Sequence, residues 1–168
     1  LAIMTALLER LDPALLRHDL YFASTVQEEV GKIGAYSLER DVRFDMAIAL
    51  DIGLAGDTPR VDPTELSTRL GDGPILVHHD GLHYDRRLTR RLAQVATDAG
   101  VPIQHAIFRQ YSSDGAALIQ FGVPSALLAF ATRYTHSPYE TVAEEDLVWC
   151  VDLLQVFLQQ GPEIHTLS

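Results

Sequence analysis

The 168-residue sequence holds a single cysteine, Cys150, and a single lysine, Lys32. One cysteine excludes an internal disulfide and suits a reducing compartment, so a cytoplasmic location is expected. Cys150 falls in the apolar run Leu147-Val148-Trp149-Cys150-Val151, which reads as a core thiol rather than a nucleophile. Positive charge is also scarce. Thirteen basic residues stand against 23 acidic ones, giving a formal net charge of -10, and such a surface repels phosphate backbones. The only basic stripe, Arg86, Arg87, Arg90 and Arg91 at helical spacing, reads as a solvated helix face, so no nucleic-acid partner is expected. No apolar run approaches a membrane span, and no basic leader with a small-residue cleavage site opens the chain, so no membrane partner is expected either. What is present, 47% hydrophobic and 21% charged residues, is the balance of one soluble globular domain.

Leu1 is not an initiator methionine. The run Leu1 to Leu8 reads as a helix already under way, with no Ser, Thr, Asp or Asn before it to cap it. The chain is therefore expected to be part of something longer, or processed.

Helical and strand patterns alternate along the chain. A first helix ends near Leu11-Asp12-Pro13, and Leu20 to Val26 has the β-branched and aromatic content of a buried strand. A short helix reaches about Arg40. Phe44 to Leu50 reads as a strand delivering Asp51, followed by a loop marked by Gly53, Gly56 and Pro59 and running to Gly71 or Gly73. Pro74 to His78 reads as a strand, at an edge because of its proline. Arg86 to Ala99 has helical periodicity and stops at Gly100 before Pro102. Ile103 to Arg109 reads as a strand, Asp114 to Phe121 as a helix closed by Gly122, Val123 to Ala131 as a strand, and Ala143 to Gln159 as a last helix. This order predicts a three-layer α/β/α sandwich with a mixed, largely parallel sheet. Ligands of such folds bind beyond the carboxyl ends of strands, which directs attention to the strand exits.

Those exits carry Glu28 and Glu29, Asp51, and His136, the hard and borderline donors that suit a divalent ion such as zinc. Adjacent carboxylates point different ways, so one of Glu28 and Glu29 could hold metal while the other moves protons; equally, both could be solvated loop residues. The segment Thr25-Val26-Gln27-Glu28-Glu29-Val30-Gly31 resembles the signature of the tetrahedral aminopeptidases, a family that includes glutamyl and deblocking aminopeptidases. Ala49-Leu50-Asp51-Ile52 with Ala55-Gly56-Asp57-Thr58-Pro59, Ser113-Asp114-Gly115-Ala116, and Thr132-Arg133-Tyr134-Thr135-His136-Ser137-Pro138 resemble three further motifs of that family, in the same order.

The resemblance implies a two-metal aminopeptidase removing N-terminal residues from short peptides, with Glu28 as general base on a metal-activated water. It implies that Glu29 and His136 hold one ion and Asp51 the other, the ions being zinc or cobalt, with manganese as an alternative. It also implies a homo-oligomer, a tetrahedral dodecamer. The family supplies two more ligands upstream, a histidine and a bridging aspartate, and an inserted β-rich domain; none of these is in the 168 residues. The chain thus reads as the carboxyl-terminal half of a catalytic domain, the aspartate expected a few positions before Leu1, and by itself it is expected to be inactive. A related metal-dependent deacylase or amidase would use the same site with a different pocket. A non-catalytic binding or assembly module with an incomplete metal site is the reading from another class.

Asp114 either lies near the substrate, as the resemblance implies, or caps the helix that follows. Ser113 and Gly115 depart from the Thr and Ala of the family. Arg133 could pair with a carboxylate of the site or the substrate, or be structural. Tyr111 and Tyr134 could line the pocket. His78, His79, Asp80, His83 and Asp85 form the densest histidine cluster, open to a separate metal site or to a solvated edge; strand alternation sends His78 and His79 to opposite faces. Ser112, Ser113 and Asp114 lack the elbow motif of serine hydrolases. His18, His105 and His165 carry no supporting pattern.

Overall fold

The computed structural model describes residues 1–40, 42–109 and 111–161. Five helices, α1 (Ala2–Arg10), α2 (Ile33–Leu38), α3 (Arg86–Ala99), α4 (Asp114–Gln120) and α5 (Glu144–Gln160), accompany five strands, β1 (Ala47–Leu54), β2 (Ile75–His79), β3 (Gln104–Ile107), β4 (Ser125–Arg133) and β5 (Thr141–Val142). The sheet order is β1-β4-β2-β3, with β5 added to the end of β4. Parallel pairing dominates: β1 meets β4 over eight residues and β2 meets β3 over four, whereas the antiparallel contacts of β4 cover three residues of β2 and two of β5.

β4 runs through the middle of this sheet and is buried on both faces, which explains its almost unbroken apolar sequence. Alternation along it splits the core in two. Ala126 and Leu128 face a cluster with Leu76 and the buried sides of α1, α3 and α5, while Leu127, Ala129 and Ala131 face a second cluster with Ile75, Val77, Tyr84 and Phe108. α3 shows how the sequence dictates an element. Asp85 accepts from the amides of Arg87 and Leu88 at 2.8 and 3.1 Å, Leu88, Leu92, Val95 and Ala96 form the buried stripe, and Gly100 ends the helix at φ +68°. Arg86, Arg87 and Arg90 are exposed and Arg91 is half-buried, as a solvated face requires. Cys150 is fully buried, and burial pushes its thiol up to about 12. None of the helices among the described residues is long and apolar enough to cross a membrane.

Three expectations need correction. Leu20 to Val26 forms no strand. Leu20 and Phe22 pack against the core and Tyr21 is exposed, but no described residue offers the segment a ladder. Composition reports burial; pairing needs a neighbour. The strand expected at 44–50 is displaced to Ala47–Leu54, so Asp51 lies inside β1 and not at its exit. Gly53 misled there: it is a packing glycine, since a Cβ would stand 2.8 Å from Ile75 Cδ1 and 3.2 Å from Ala129 Cβ. The proline before β2 does not mark an edge either, because β2 lies between β3 and β4. Pro74 precedes the strand and contributes its carbonyl, which accepts from the Gln104 amide at 2.8 Å.

The loop after β1 folds back tightly over the second core cluster. Thr68, 1% exposed, donates to the Leu54 carbonyl, and the Gly56 amide donates to the Thr68 carbonyl at 2.6 Å. A Cβ on Gly56 would lie 1.8 Å from the Leu66 carbonyl oxygen. Gly56→Ala must therefore move backbone, and a loss of about 1–3 kcal/mol is expected in urea denaturation.

Candidate active site

Four carboxylates come within charge range of one another where β1, α4 and the turn at Glu28 come together. Asp51 projects from the same face of β1 as Ala49, toward α4. Glu28 and Glu29 occupy a turn closed by amides of Gly31 and Lys32 on the Glu28 carbonyl, at 3.2 and 2.9 Å. Gln27 and Lys32, at φ +58° and +56°, flank this turn in left-handed backbone, which non-glycine residues rarely adopt. Asp114 opens α4. Its Oδ2 accepts from the Thr25 hydroxyl, and its Oδ1 is buried with no partner.

The electrostatics follow from this crowding. Burial, then Asp114 and Glu29, raise the Asp51 carboxyl to about 6, against the Ile52 amide and the Tyr111 hydroxyl, which lower it. Burial, then Asp51, Asp114 and Glu29, raise Glu28, with Lys32 as the opposing charge. Tyr111 donates to the Ile52 carbonyl, pinning the backbone next to Asp51.

His136 enters from the turn after β4. It sits in left-handed backbone at φ +60°, its amide donates to Glu140 Oε1 at 2.8 Å, and its Nε2 lies 3.3 Å from Glu29 Oε1. The structure thus joins Glu29 to His136 directly and places Asp51 and Glu28 within charge range of Glu29. Among the described residues, no three His, Cys, Asp or Glu side chains surround one point. Arg133 gives its fork to Asp57, with Nε at 3.1 Å from Oδ1 and Nη2 on Oδ2, which holds Asp57 below the usual carboxylate range and ties the end of β4 to the loop after β1. Tyr134 is half exposed in left-handed backbone at φ +62°.

The histidine cluster disperses. His78 Nε2 lies 2.9 Å from His105 Nδ1, the His79 and His83 rings are 4.6 Å apart, Asp80 is fully buried, and Asp85 caps α3. His105 gave no signal because its partner is 27 residues away. His165 lies outside the described residues. Thr25 and Tyr84 were likewise not singled out, and Arg133 could pair with a carboxylate without Asp57 being identified as its partner: each draws its meaning from contacts between segments far apart in sequence.

The sequence profile of the M42 glutamyl aminopeptidases matches residues 1–153. The chain belongs to the M42 glutamyl aminopeptidase family. A curated aminopeptidase-like protein of Acetivibrio thermocellus is 35% identical over 140 residues, covering 82% of this chain and 42% of its own length. The structure of an aminopeptidase from the archaeon Desulfurococcus kamchatkensis superposes with a TM-score of 0.91 at 31% identity, over 98% of this chain and 47% of that one. The TET1 peptidase of Pyrococcus horikoshii, which can assemble into a tetrahedron or a large octahedral shell, gives 0.77 at 27% identity, over 93% of this chain and 46% of that one. The M42 chain described here thus spans less than half the length of these relatives, and their shared α/β architecture matches the fold expected from the sequence.

Peptidases of the M42 family are metal-dependent, and the residues present fit such a group. Burial and the neighbouring acids raise Glu28 and Asp51, Asp114 Oδ1 has no donor, and the Glu, Asp and His donors are those zinc accepts. The same repulsion makes a stability prediction. Asp51 binds its proton more tightly folded than unfolded, so its contribution is complete below the ordinary value of 3.8 and is lost as pH rises through about 6. In the ion-free protein, Asp51→Asn is expected to stabilise by about 1–3 kcal/mol at pH 7.5 and to have little effect at pH 4. Thermal denaturation at the two pH values measures the difference.

Proposed function

We propose that this chain carries the proton-transfer group and part of the metal-binding set of an aminopeptidase that removes N-terminal residues from short peptides. The observation carrying the reading is that Glu28, Glu29, Asp51 and Asp114 lie within charge range of one another, with His136 Nε2 3.3 Å from Glu29 Oε1. Glu29 and His136 would hold one divalent ion, and Asp51 a second; zinc or cobalt suits this donor set, with manganese as an alternative. Bound there, the ions would lower the pKa of a coordinated water and polarise the scissile carbonyl.

The side chains supply the rest. Glu28, raised by burial and by its neighbours, is suited to accept a proton from the attacking water and return it to the departing amine. Asp114 Oδ1, buried and unpartnered, is an acceptor suited to the free ammonium of a peptide. Arg133, engaged with Asp57, shapes the turn that carries His136. Three donors divided between two ions leave each below the four that zinc takes, so the working site needs donors beyond these three and the 168-residue chain alone is expected to be inactive. The working protein, in this reading, is a homo-oligomer of tetrahedral dodecamer type in the cytoplasm. The assembly of the similar TET1 peptidase supports the first, and the lone buried thiol suits the second.

A full-length preparation stripped of metal and reloaded with zinc, cobalt or manganese tests the proposal. Release of p-nitroaniline from aminoacyl substrates, lost on chelation, is the expected result. Hydrolysis of N-acyl amino acids alone would move the chain to a deacylase, and binding of neither substrate class would leave a non-catalytic module.

A further inference from the structure

Three buried polar side chains have no part in the function described above. Asp80, Tyr84 and Ser113 are 0%, 6% and 0% exposed. Tyr84 Oη donates to Asp80 Oδ2 at 2.6 Å and lies 2.7 Å from Ser113 Oγ. A phenol has one proton; with that proton on the carboxylate, Ser113 is the donor in the second bond. Asp80 Oδ1 is buried and unpartnered, so the chain is kept against a desolvation cost that an apolar filling would avoid.

What the chain touches explains it. Ser113 is the N-cap of α4, extended at φ -135° and ψ 173°, yet its hydroxyl makes no capping bond to its own helix and turns to Tyr84 instead. On the other side of Asp114, Gly115 lies under the same ring: a Cβ there would stand 2.9 Å from Tyr84 Cε1. Asp114 is thus held between two residues that Tyr84 contacts. Its Oδ2 accepts from Thr25, three positions before Glu28 on the segment that turns at Gln27.

We propose that Tyr84 is a positioning residue: backed by Asp80 and bonded to Ser113, it sets the first turn of α4 so that Asp114, through Thr25, holds the turn presenting Glu28. The inference rests on Glu28 being the proton-transfer group.

The test uses the full-length, metal-loaded enzyme. Tyr84→Phe keeps the ring and removes one hydroxyl. It is expected to lower kcat about 10–100-fold with KM changed less than about threefold. Amide exchange is expected to rise in residues 25–28 and 113–116 while α5 keeps its protection. Ser113→Ala is expected to reproduce this loss, Ser113→Thr to retain kcat, and the double variant to be no worse than the poorer single one. A lowered Tm with unchanged kcat and unchanged exchange at 25–28 overturns the inference. Should Tyr84→Phe fail to fold, equal activity of Ser113→Ala and Ser113→Thr overturns it. Glu28→Gln measured alongside separates the two claims. Full activity there overturns both, whereas an impaired Glu28→Gln beside a normal Tyr84→Phe removes only the positioning role.

Discussion

Glu28→Gln is expected to lower kcat of the complete, metal-loaded enzyme about 10²–10⁴-fold, equivalent to roughly 3–5 kcal/mol of transition-state stabilisation, with KM changed little. The substitution keeps the shape of the side chain and removes both its negative charge and its ability to take a proton. If Glu28 served as one more negative charge, removing it from beside Asp51, Asp114 and Glu29 would relieve repulsion and leave turnover intact. The two roles therefore predict opposite results. Bound metal provides the control. Glu28→Gln is expected to keep its full complement of ions, whereas Glu29→Gln and Asp51→Asn lose ions together with activity. An active Glu28→Gln enzyme, or one that has lost its metal, would assign the proton transfer elsewhere.

How far the sequence led can be judged from the groups around Glu28. Local patterns were legible: Gly100 ends α3 at the position its chemistry demands, and the apolar run of β4 reports burial on both faces, although Asp85, read with the histidines, turns out to cap α3. The order of the motifs identified the family. Strand limits were less legible, because Gly53 has the composition of a turn and the role of a close contact between strands, and because Leu20 to Val26 has the β-branched and aromatic content of a strand without a partner to make it one. The support of the site was hidden for a different reason. Tyr84 and Ser113 lie 29 residues apart, and Thr25 and Asp114 lie 89 apart. Single hydroxyls and carboxyls have no periodicity, so only the fold reveals which of them meet. Ser113 shows this most clearly, since its place before a helix suggests a cap and its hydroxyl serves a tyrosine from another segment.

The largest stability loss is expected from Asp146→Ala, a position without any role in the acidic site. Asp146 lies in the first turn of α5 and is fully buried. Its two oxygens accept from the amides of Gly71 and Gly73, each at 2.9 Å, and so fasten α5 to the loop that feeds β2. Both glycines have positive φ, +79° and +98°, and a Cβ on Gly73 would lie 2.3 Å from the Pro102 carbonyl oxygen. The loop can aim two N–H groups at one carboxylate only with glycine at these positions. Alanine at 146 leaves the buried Gly73 amide without a partner and removes the acceptor of the Gly71 amide, which the exposure of Gly71 leaves open to water, and a total loss of about 2–4 kcal/mol is expected in urea denaturation. Asp146→Asn keeps one acceptor but turns an NH₂ toward the second amide, so its loss is expected to be smaller. Burial raises the Asp146 carboxyl more than the two amides lower it. The group therefore contributes most favourably at acid pH, where it is protonated, and the contribution falls as it ionises with pH rising through the folded value, which narrows the gap between Asp146 and Asn at neutral pH. Metal content and kcat of the folded fraction are expected to be unchanged in both variants. A loss of bound metal with stability intact would instead place this end of α5 in contact with the acidic site.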